Sequence, residues 1–99
     1  MPTRIVRLEA ILTSDTTPIS GKTIAFKYRP SGASTWIDAG TEITDTNGKA
    51  SLSVPLTVPA SYDFRVEFAG DADYEASYAE VTNYKVKAKT TISLTVTPL

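Results

Sequence analysis

In the stretch GDADYEAS, Asp71, Asp73 and Glu75 stand at alternate positions, a spacing at which loop carboxylates can gather around a hard cation such as calcium. The EF-hand form of that chemistry needs glycine at its sixth position and glutamate at its twelfth. Here those positions hold Ala76 and Thr82, so a calcium loop would have to be of a looser kind. A solvated turn capped by its aspartates is the simpler reading, because aspartate side chains readily accept hydrogen bonds from the backbone just ahead of them. A second candidate is aromatic. Trp36, next to Thr35 and with Tyr28 upstream, could form a platform for a sugar ring, with Arg29, Ser31 and Ser34 as polar neighbours. A lone tryptophan in an all-β chain otherwise covers the core or seals a sheet edge.

Other chemistries are excluded by composition. The 99 residues include no cysteine and no histidine, which removes disulfides, thiol nucleophiles, histidine bases and most zinc sites. Eleven acidic side chains could in principle supply an acid/base pair, but nothing in the sequence sets two of them apart, and the expectation is of no enzyme and no cofactor. Ten basic residues against eleven acidic ones give a net charge of −1, without the clustered basic excess of a nucleic-acid binder. No apolar run approaches membrane-spanning length and no signal peptide is visible, so no membrane insertion is expected. Asn47 and Asn83 are each followed two positions later by lysine, so neither forms a glycosylation sequon. The start Met1-Pro2-Thr3-Arg4 reads as an excised domain with an added methionine, with a complete small protein as the alternative.

The elements that would hold such groups are strands. Helical spacing of apolar residues is nearly absent, and period-two alternation recurs along the chain. Val6, Leu8, Ala10 and Leu12 share one face of a first strand, and Ile24, Phe26 and Tyr28 one face of the next. A short strand follows around WIDAGTEI, with Gly40 placed for a bulge. Asn47-Gly48 marks a tight turn with positive φ at the glycine. Ala50, Leu52, Val54 and Leu56 alternate after it, and Tyr62, Phe64, Val66 and Phe68 point inward from a later strand. In the last of these, Tyr84, Val86 and Ala88 oppose Lys85, Lys87 and Lys89. Val81 lies on the wrong parity relative to Tyr84, which predicts a bulge or bend near Thr82-Asn83. About seven strands at this spacing predict an all-β antiparallel sandwich with Greek-key connections. Leu8, Leu12, Ile24, Phe26, Leu52, Val54, Phe64, Val66 and Phe68 are its expected core.

Three stretches in order, TPISGKTIAF (17–26), STWIDAGTEITDTNGKASLSV (34–54) and ASYDFRVEFAGDADYEASYAEV (60–81), carry a Pro-x-x-Gly-Lys turn, an Asp-x-Asn-Gly turn and a tyrosine-led strand ending Phe-x-Gly-Asp-x-x-Tyr. Over these residues the chain resembles the bacterial Ig-like (Big-type) repeat domains of large surface and adhesin-type proteins. The resemblance implies a cysteine-free Ig-like sandwich that serves as a spacer or adhesive module at the cell surface or outside the cell. Neighbouring Ig-like domains or other copies of the chain would be its partners, with surface polysaccharide as a further one. Tyr62 would bond the backbone upstream and lock a corner, and Phe64 would fill the place held by a cysteine in antibody domains.

One departure from that pattern stands out. The family opens with a threonine-rich strand ahead of the strand at residues 4–13, and here no such strand precedes it. A segment of that type, KTTISLTVTPL, comes at the other end. The expected organisation is therefore a sandwich over residues 1–88 that lacks its usual first strand, followed by a strand-like tail over 89–99. Ile92, Leu94 and Val96 would be the apolar face of an assembly strand, exchanged head-to-tail with another copy. The expected function is a non-catalytic structural and adhesion module. Its rivals are a carbohydrate-binding module using Trp36 and Tyr28, and a filament subunit.

Overall fold

The computed structural model describes residues 2–98. Eight strands form: β1 (Thr3–Ile11), β2 (Thr13–Ser14), β3 (Thr17–Pro18), β4 (Thr23–Pro30), β5 (Ile37–Ile43), β6 (Lys49–Thr57), β7 (Ala60–Phe68) and β8 (Ser77–Val86). The protein is an antiparallel β-sandwich. One layer is the pair β1-β6 and the other is the four-stranded sheet β5-β4-β7-β8. The layers hold six strands, and β2 and β3 make a small separate ribbon, Thr13 opposite Pro18 and Ser14 opposite Thr17, which brings the total to eight against the about seven expected.

Alternation places the core between the layers. Ala10, Leu12, Ile24, Phe26, Ala50 and Phe68 belong to one buried cluster, and Val54, Leu56, Val58, Tyr62, Phe64 and Val86 to a second. Leu8 and Leu52 are only half-buried but pack against both clusters. Phe26 and Val58 are fully enclosed. Of the nine expected core residues, Leu8, Leu52 and Val66 fall short of full burial. For Leu8 and Val66 the cause is local: both line a groove where the two sheets part.

Two irregularities set the register. Phe26 faces Gly40 and Lys27 faces Asp38, so Ala39 is the extra residue of a bulge, next to Gly40 at φ 143°. Between β7 and β8, Tyr62 faces Tyr84 while Phe64 faces Val81, so one residue of β7 spans two of β8. Asn83 takes φ 56° there, and asparagine is among the residues that tolerate the left-handed region best. This bulge restores inward parity on both sides of Thr82-Asn83. Tyr84 nonetheless stays more than half exposed, contrary to its expected inward placement, because it lies on the edge strand β8, where its ring stands at 69° to that of Phe64 with centroids 6.1 Å apart.

The turns follow their sequence chemistry. Asp45 Oδ1 accepts hydrogen bonds from the backbone N–H of Asn47 (2.8 Å) and Lys49 (3.0 Å), and Gly48 N–H donates to the Asp45 carbonyl (2.9 Å). Gly48 has φ 75°, and its carbonyl accepts from Leu12 N–H at 2.8 Å, which ties the turn to the end of β1. The Tyr62 hydroxyl donates to the Thr57 carbonyl at 2.7 Å and closes the corner between β6 and β7.

Candidate functional site

Among the described residues β1 pairs only with β6 and β8 only with β7, so these outer edges of the two sheets face each other without joining. Between them lies a groove of about 630 Å³. Its apolar lining includes Val6 and Leu8 from β1, Phe64 and Val66 from β7, and Val81 and Val86 from β8. Charged side chains of both signs, Arg4, Arg7, Glu9, Glu80, Lys85 and Lys87, stand along it. At one end Arg4 Nη1 donates to the Lys87 carbonyl at 3.2 Å. The start of β1 thus meets the end of β8, and the two strands run in opposite directions.

Beyond β8 the chain leaves the sandwich. Ala88 still packs on the second core cluster, while residues 89–98 are exposed and outside any strand. Ile92 is 99% exposed, Leu94 87% and Val96 81%. With this extension the molecule measures 74 × 33 × 19 Å. A tail with apolar residues at every second position and a groove flanked by two unpaired strand edges can each bind a β-strand.

Asp63 holds the most elaborate polar arrangement, and sequence reasoning missed it. Strict alternation puts this residue on the solvent face of β7, yet it is only 4% exposed. Its Oδ1 accepts from Asn83 N–H (2.9 Å) and from the Ser31 hydroxyl (3.0 Å), and its Oδ2 from Arg29 Nε (2.9 Å). These bonds lower its pKa from the ordinary carboxylate value, with the Asn83 N–H contributing most and Arg29 next. The available signal was the parity break at Val81, since a bulge opposite a carboxylate presents backbone N–H groups for it to accept. All three partners hold parts of the fold together, and among the described residues no buried side-chain polar atom lacks a hydrogen bond.

Trp36 is half-buried just before β5, with the Arg29 guanidinium over its ring at 4.1 Å. Tyr28 lies on β4, packs against the second core cluster and sits 6.3 Å from the Tyr62 ring. The guanidinium therefore occupies a face of the indole on which a sugar would stack. Asp71 forms an ion pair with Lys22, and its Oδ1 accepts from the N–H groups of Asp73 and Tyr74, both at 2.9 Å. The Lys22 bond is the first cause of its lowered pKa. Asp71, Asp73 and Glu75 do not converge, and among the described residues no three acidic, histidine or cysteine side chains form a group that could hold a metal. Comparison with protein-family models, curated proteins and solved structures gave no match.

Proposed function

We propose that this chain is a non-catalytic structural and adhesive module of Ig-like type, from a cell-surface or secreted repeat protein, that joins to its neighbours through its C-terminal segment. The observation that carries this reading is the tail. Three large apolar side chains at alternate positions stand almost wholly in solvent, on a segment that continues past the last strand instead of folding over it. Large exposed apolar groups in a row mark an interaction surface. The ionic groups support a structural role as well, since Arg29, Lys27, Arg65 and Lys22 are each paired with a carboxylate across or along the strands and turns. Arg29 on the Trp36 ring weighs against the carbohydrate reading.

The test is a polypeptide of two copies in tandem, with the second copy's Thr3 following the first copy's Pro98. Its modules should hold one mutual orientation, read from residual dipolar couplings that fit a single alignment tensor. Two modules that tumble independently would overturn the spacer role.

A further inference from the structure

We infer that the groove between β1 and β8 is an acceptor site for the tail of a second copy, with residues 91–97 adding to β1 as an antiparallel strand. This deepens the proposed role of the tail and rests on it. Four features of the molecule point to this occupant.

The groove has what a strand needs, namely a free β1 edge of unpaired backbone groups and an apolar floor that includes Leu8, Phe64 and Val66. The tail has the matching pattern. Ile92, Leu94 and Val96 fall on one face of an extended segment and Thr91, Ser93, Thr95 and Thr97 on the other, so one face can enter while the other stays wet. Their lengths agree too. Seven strand residues span about 23 Å, close to the about 20 Å of β1 from Arg4 to Glu9 that borders the groove. Finally, residues 90–98 carry no charge, so the strand can pass between the charged side chains without burying an ion.

The same geometry excludes the chain's own tail. An antiparallel partner of β1 must enter at the Glu9–Ala79 end and leave at the Arg4–Lys87 end, parallel to β8. The tail begins at the Arg4–Lys87 end. Reaching the far end means travelling the ten residues of β8, about 33 Å, whereas Lys87 to Thr90 can span only about 14 Å. Entry from the near end would need a tight hairpin through Ala88-Lys89-Thr90, which has no glycine, asparagine or proline to make it. Each copy therefore offers a strand that its own groove cannot take and a slot that its own tail cannot fill. Copies would link head to tail, or close as a swapped pair.

The experiment uses the full chain, in which the absence of cysteine allows single-site labelling. Thr91→Cys and Thr97→Cys each carry a nitroxide on unenriched protein and are mixed with nitrogen-15-labelled wild type. Mass in solution should rise with concentration. The label at position 97 should broaden amides of Arg4 and Lys87, and the label at 91 those of Glu9 and Ala79. Leu94→Asp in both copies should abolish the association and the broadening while leaving the rest of the amide spectrum in place. A strictly monomeric chain overturns the inference, as does broadening at the opposite ends or on another surface. Such an outcome leaves the spacer reading to the tandem measurement, which does not depend on exchange between separate chains.

Discussion

At the scale of single residues, Asp63 and Gly48 carry strain or charge that their surroundings must satisfy. Asp63 is buried as a carboxylate because the bulge of β8 turns the Asn83 N–H toward it and Arg29 supplies the counter-charge. Its folded pKa lies below the unfolded value, so the native state binds fewer protons than the unfolded chain in acid. That contribution is complete above the unfolded carboxylate pKa, near pH 4, and is lost as pH falls through the lower folded value. Asp45, Glu67 and Asp71 are shifted in the same direction and add to the trend. Asp63→Asn should lower the melting temperature at neutral pH and flatten its decline in acid, as followed by circular dichroism across pH. An unchanged acid limb would mean that Asp63 does not contribute. At Gly48, a Cβ would lie 2.5 Å from the Leu12 carbonyl oxygen and 3.3 Å from Ile19 N, on a backbone at φ 75°. Gly48→Val should therefore cost at least about 2 kcal/mol in a urea titration, more than an ordinary surface change.

At the scale of elements, the strands differ in how fully their inward faces are covered. Phe64, on the central strand β7, packs in the second cluster with Tyr62, Val86 and Val54, and it has neighbours on both sides through β4 and β8. Phe64→Ala should cost about 3–5 kcal/mol, read from the denaturation midpoint. Leu8 has the same inward parity on β1 but borders the groove and is only half-buried. Leu8→Ala should accordingly cost less than Phe64→Ala in the dilute monomer, about 1–2 kcal/mol from the area it removes from water. Equal penalties would mean that the β1–β8 edge is already sealed. The alternation of residues 6–12 announces an inward face. Only the arrangement of the sheets reveals that half of that face has no opposing strand.

At the scale of the molecule, the tail accounts for the 74 Å long dimension. Nine extended residues reach about 30 Å, so removing residues 90–99 should shorten the maximum dimension in small-angle scattering by about that amount at low concentration. The unfolding midpoint should move little, because the side chains of residues 90–98 are exposed. A large loss of stability would place the tail on its own domain.

Several features needed only the order of the residues. Period two in residues 6–12, 24–28, 50–56 and 62–68 specifies strands with one apolar face, since a strand's side chains alternate whatever surrounds it. Asn47-Gly48 specifies a turn because few other pairs tolerate its dihedrals. The parity break at Val81 announces a bulge, and the stripe at Ile92, Leu94 and Val96 an apolar edge. Tertiary structure decided what these features meet. Asp63 sits buried because a bulge in a strand twenty residues away delivers it a donor, and Trp36 lies under Arg29 because β4 and β5 pair in one register. The groove exists because β1 joins β6 while β8 joins β7, and no local pattern encodes which edges a fold leaves facing each other. Local pattern follows from the geometry of one strand, whereas a site depends on contacts between segments distant in sequence.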